Sequence, residues 1–135
     1  MLDITTVTKG DEVYALFYSK EIETDSIRFL TDESYPFQIG LMKRPAGYDV
    51  PAHRHTVPTR EIVGTAEFLY IESGKIRATV YDDDWNELAT KELVAGDFLL
   101  FMKGGHRVEW IEESRILEVK QGPFLGDVNE KTFKD

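Results

Sequence analysis

Cysteine is absent from this chain of 135 residues. That absence excludes disulfides, thiolate zinc sites and cysteine nucleophiles, and it suits a reducing compartment, so a cytoplasmic location is expected. Positive charge is also scarce: 16 Lys and Arg stand against 25 Asp and Glu, a formal charge of −9. Such a surface favours solubility and repels nucleic-acid phosphates and anionic bilayers, so neither is expected as a partner. No apolar run approaches the roughly 20 residues needed to cross a bilayer. The opening MLDITTVTKGDE has neither a basic start nor an apolar h-region, so no signal peptide is expected. Helical periodicity is missing as well, since no window holds a helical hydrophobic pattern for several turns.

What is present is β-rich. Short runs of Val, Ile, Thr, Tyr and Phe predict strands over roughly 3–8, 13–18, 26–30, 37–44, 49–55, 66–73, 75–82, 87–93, 97–102, 106–112 and 114–120. Turn residues separate them: Pro45-Ala46-Gly47, Ser73-Gly74, Asp82-Asp83-Asp84, Ala95-Gly96 and Gly104-Gly105. Many short strands at close spacing predict an all-β sandwich or barrel. No repeat, low-complexity tract or linker marks a second domain. The polar stretch from Gly122 to Asp135 is expected to wrap the surface or end loosely.

Histidine is the third scarcity, and the chain's 3 histidines carry the functional signal. In PAHRH, His53 and His55 are two residues apart. On a strand both would project to one side, because successive side chains alternate faces. Imidazole is a common ligand for zinc, iron, nickel and copper, and two on one face make half a metal site; an incidental exposed pair is the bland alternative. His106 opens the alternating run HRVEWI, where Val108 and Trp110 share its face and predict an inward direction. A buried imidazole needs a hydrogen bond or a metal. In EFLYIESGK, Glu67 alternates with Leu69 and Ile71, so this acid is also expected inward, where it must be paired, protonated or metal-bound. Glu72 and Glu61 read as solvated acids, with Glu61 the second choice as a carboxylate ligand.

These residues stand in a recognisable order. Gly47, five residues, His53-Arg54-His55, and then Glu67 followed by six residues and Gly74 resemble the first motif of the cupin superfamily. Gly96, seven residues, Gly104 and then His106 resemble the second. Here eleven residues, Thr56–Ala66, separate the second histidine from the glutamate, more than the family usually places there. Met102 stands where the second motif usually has proline, and Trp110 where it has asparagine. The resemblance implies a cupin-type double-stranded β-helix, or jelly-roll, barrel spanning 1–135 as one domain. Its motif core lies at about 47–120, with the N-terminal strands and the C-terminal tail packed around it. It further implies one divalent metal ion held by His53, His55, Glu67 and His106. That ligand set suits Fe, Mn, Ni or Zn alike. The closing LEVKQGPFLGD is similar to small single-domain cupins of polysaccharide and sugar-nucleotide pathways. A homodimer through the β-prone stretch from Ile4 to Tyr18 is the associated expectation.

Asp82, Asp84 and Asn86 resemble the start of a calcium loop, but Glu87 replaces the required glycine and strands flank it, so a hairpin turn is expected. Lys43, Arg44, Glu118 and Lys120 interrupt apolar strands; each reads first as outward and solvated, with a ligand-orienting role as the alternative. Three functions follow: a metal-dependent protein acting on or binding a small carbohydrate-like or carboxylate ligand; a metal-free sugar-nucleotide isomerase or epimerase with a His general base; or a non-catalytic sensing module. Whether turnover occurs, and of the isomerase, epimerase or dioxygenase kind, is left open.

Overall fold

A computed structural model describes residues 3–135. The regular secondary structure is almost all β-strand, and all strand pairings are antiparallel. In chain order the strands are β1 Ile4–Lys9, β2 Glu12–Tyr18, β3 Ile27–Phe29, β4 Gly40–Met42, β5 Glu67–Ser73 and β6 Lys75–Tyr81. There follow β7 Glu87–Val94, β8 Phe98–Phe101, β9 Gly105–Trp110 and β10 Arg115–Lys120, with one short helix, α1 Asp127–Glu130. A five-stranded sheet runs in the order β1-β2-β8-β5-β10, a three-stranded sheet in the order β7-β6-β9, and β3 pairs with β4 alone. Among the described residues these pairings close no barrel, and no helix is long and apolar enough to cross a membrane.

The chain divides into two compact units. The larger comprises the chain up to Ile22 together with Thr65–Asp135, and the smaller is Glu23–Gly64. In the larger unit, strict alternation makes the core. Ala15, Phe17, Leu69, Ile71, Leu99 and Phe101 from the five-stranded sheet form one buried cluster with Ile76, Ala78, Val80 and Leu93 of the three-stranded sheet. Two sheets each apolar on one face bury those faces against each other, the ordinary solution for a sandwich. Gly74 makes the turn between β5 and β6 at φ +85, where a Cβ would collide with Ser114 Oγ and the Glu113 carbonyl. Asp97 is a buried acid that ties together the ends of β2 and β7: it accepts from Lys20 N–H at 2.8 Å and Val94 N–H at 2.9 Å.

The smaller unit holds the β3–β4 ribbon, registered Ile27↔Met42 and Phe29↔Gly40. Here one expected strand is missing. Residues 49–55 carry no regular structure, and the irregular segment continues to the start of β5. Pro51 and Pro58 remove two backbone donors from that stretch, and a strand without a partner leaves its polar backbone unpaired. The hairpin expected at Asp82–Asn86 is present between β6 and β7. At the C-terminus, α1 and its flanks are exposed, which fits a surface-wrapping tail.

Candidate functional site

Glu67 opens β5 and lies opposite Phe101 of β8 on one side and Lys120 of β10 on the other. Residues directly opposite each other share a face, so all three point with Leu69 and Ile71 toward the core. The strand is anchored just before this point, where Ala66 N–H donates to Gln121 Oε1 at 2.8 Å. His106 lies on β9 opposite Val80 of β6, whose side chain is fully buried. The expected inward direction of both residues is therefore found, and they meet. Glu67 Oε2 is 3.3 Å from His106 Nε2, with side chains 21% and 33% exposed respectively. The imidazole lies flat on the Phe101 ring, with centroids 3.9 Å apart and planes 6° from parallel. The face shared by His106, Val108 and Trp110 does not stay covered along its length, because Trp110 at the far end of β9 is 56% exposed.

Two further ionisable groups complete the cluster. Glu118 lies opposite Leu69 in the register and Lys120 opposite Glu67, so both belong to the inward row of β10, where Glu118 nonetheless stays exposed, at 41%. Lys120 is only 25% exposed, with its Nζ 3.6 Å from Glu118 Oε1 and 4.5 Å from the centre of the Phe124 ring. The hydrogen bond with His106 holds the Glu67 carboxyl well below its usual range, at about 2, against the opposing effect of burial. A hydrogen bond with Glu118 and the charges of His106 and Lys120 push the same way. The Glu118 carboxyl moves up, first through its hydrogen bond with Glu67, then through burial and repulsion by Glu67. The two neighbouring carboxyls are thus driven in opposite directions, Glu67 toward the ionised form and Glu118 toward the protonated one. Such a group can accept a proton, donate one, or ligate a cation.

The other candidate ligands lie in the smaller unit. His53 and His55 are exposed in its irregular segment, so strand alternation does not align them, yet their ring centroids are 5.2 Å apart. His53 Nδ1 is 2.8 Å from the Pro51 carbonyl. A carbonyl can only accept, so Nδ1 is the donor in this bond. Glu61 is exposed in the same segment, while Glu72 pairs with Arg115 at 2.6 Å. The sequence-derived ligands thus appear as two pairs, Glu67 with His106 and His53 with His55. Among the described residues, no group of three or more His, Asp or Glu is arranged to hold a metal ion.

The donor chemistry of the Glu67–His106 pair fits a divalent ion. With bonds near 2.1 Å, neighbouring ligands of one metal lie about 3.0 to 3.4 Å apart for octahedral and tetrahedral angles, and the observed separation is 3.3 Å. Glu118 and Lys120, which the sequence reads first as outward and only second as ligand-orienting, belong to this cluster. The available signal was their alternation with Ile116, which lies opposite the buried Ile71. Comparison with protein families, curated proteins and solved structures finds no match to this chain.

Proposed function

We propose that this is a metal-assisted small-molecule protein of the cupin type, with its divalent ion anchored on Glu67 and His106. The observation that carries the reading is the 3.3 Å approach of Glu67 Oε2 to His106 Nε2 from strands of two different sheets. The motif resemblance alone names His53 and His55 as further ligands; the Glu67–His106 geometry carries the reading without them. A bound ion would polarise a ligand oxygen or acidify water. The protein's own groups do the remaining work: Phe101 holds the imidazole plane, and Glu118 and Lys120 offer an acceptor and a donor to a hydroxylated or carboxylate ligand. Metal analysis of the purified protein tests the reading. Near-stoichiometric metal, lost in Glu67→Gln and in His106→Ala, is expected; full retention in both variants overturns it. Retention in His53→Ala and His55→Ala would remove only the two ligands that the resemblance adds.

A second reading draws on the chain of contacts from Glu118 through Glu67 to His106. Two carboxyls and an imidazole in hydrogen-bond reach can move a proton without metal, as an isomerase or epimerase requires. Turnover of sugar nucleotides or small acids by chelator-treated protein would favour it. Saturable ligand binding with no product would favour a sensing module instead. A homodimer through β1 and β2 belongs to the same proposal, and light scattering that shows only monomer would remove it.

A further inference from the structure

We infer that Trp85 is a positioning residue for His106, acting through Gly105. This rests on the reading of Glu67 and His106 as the site, but it concerns the imidazole's placement and not what the imidazole binds. Trp85 is the one non-glycine residue at positive φ among those described, at 67°. It closes the β6–β7 turn, where its N–H donates to the Asp82 carbonyl at 3.1 Å. Hairpin turns normally reserve the left-handed position for glycine or asparagine, and a bulky side chain there is strained. Strain of this kind persists only where the surroundings hold it, and it concentrates at functional sites.

The indole's destination supplies the reason. Its ring covers Gly105, so closely that a Cβ at Gly105 would lie 2.5 Å from Trp85 Cζ3. Gly105 is not at positive φ, so its backbone would accept a side chain; the space is simply taken by the indole. The two positions are thus exchanged, with a large residue where the turn wants glycine and a glycine where the strand would take a side chain. Gly105 opens β9 opposite Tyr81, and the next residue is His106 opposite Val80. Tyr81 meets the indole edge-on at 5.8 Å, clamping the ring from the β6 side. A ring seated on the first residue of β9 fixes the height at which His106 enters its stack on Phe101 and its contact with Glu67.

The test is NMR of the His106 ring in chelator-treated protein, so that it is read apart from any metal. In the wild type, the stack on Phe101 moves the His106 ring protons upfield. Trp85→Gly suits the backbone and should keep cooperative unfolding, yet lose much of that upfield shift; Trp85→Phe should restore it. Gly105→Ala should disturb the same signals in the wild type and leave them unchanged in a Trp85→Gly background, because the colliding ring has gone. His106 signals that stay in place in Trp85→Gly overturn the proposal, as does a Gly105→Ala effect of equal size in both backgrounds. Should Trp85→Gly and Trp85→Asn both lose cooperative unfolding, Trp85 is a general structural residue and the proposal fails.

Discussion

Replacing Asp82 by Asn should destabilise the protein at neutral pH and make much less difference in acid. The Asp82 side chain is 1% exposed. Its Oδ1 accepts from the N–H groups of Asp84 and Asn86, both at 2.9 Å. Its Oδ2 accepts from Lys9 Nζ at 2.7 Å and Asn86 Nδ2 at 3.1 Å. All four partners are donors. An asparagine keeps the shape but presents one donor of its own, so either amide orientation sets an NH2 group against two donors. The variant therefore loses two of four buried contacts and the attraction to Lys9, and the melting temperature should fall by roughly 5 to 10 °C. Lys9→Met is the control. It removes one donor and leaves both backbone contacts in place, so its effect should be clearly smaller.

The pH dependence follows from the same contacts. The Lys9 ammonium, followed by the donors from Asn86 and Asp84, holds the Asp82 carboxyl far below its ordinary 3.8. A carboxyl lowered in the folded state adds stability that is fully present above the unfolded value and is lost as pH falls toward the folded one. The gap in melting temperature between wild type and Asp82→Asn should thus be constant from about pH 7 to about pH 5, then shrink steadily below about pH 4. Circular-dichroism melts across that range measure it. A gap that holds its size down to about pH 2.5 would falsify the assignment of Asp82 as an ionised, donor-saturated anchor.

Further outcomes concern the core and the site. Leu99→Ala empties a fully buried position between the sheets and should cost about 2 to 5 kcal/mol in urea unfolding. Gly74→Ala meets both positive φ and a collision with Ser114 and Glu113, so a loss of about 1 kcal/mol or more is expected by the same assay. Glu118, whose carboxyl is moved up, favours the folded state below its unfolded value and loses that contribution as pH rises through the folded one. Glu118→Gln should therefore raise the melting temperature at about pH 8 and change it little at about pH 4; the opposite order would contradict the Glu67–Glu118 contact.

How much of this could be read in advance differs by residue, and the reason is physical. Alternation placed Glu67 beside Leu69 and Ile71 correctly, because β5 is paired on both sides, by β8 and by β10. The same rule failed for His53 and His55, since alternation holds only where a partner strand flattens the chain, and residues 49–55 have none. Charge in a strand usually marks the solvent face, which holds for the exposed Glu118 and fails for the half-buried Lys120. Their true direction is set by register, in that Ile116 pairs with Ile71 and the next two inward positions follow. Trp85 left no readable trace, since the strain at φ 67 and the cleared space over Gly105 exist only once β6, β7 and β9 are assembled. The legible part of the site is therefore the direction of Glu67 and His106, each set by alternation along its own paired strand. What alternation alone does not give is the register of β10 on β5 and the contact across sheets, where the Phe101–His106 stack and the Glu67–His106 contact arise together. Since β9 belongs to one sheet and β5 to the other, a change in how the two sheets pack should disturb this site before it disturbs the hydrogen-bonding of either sheet.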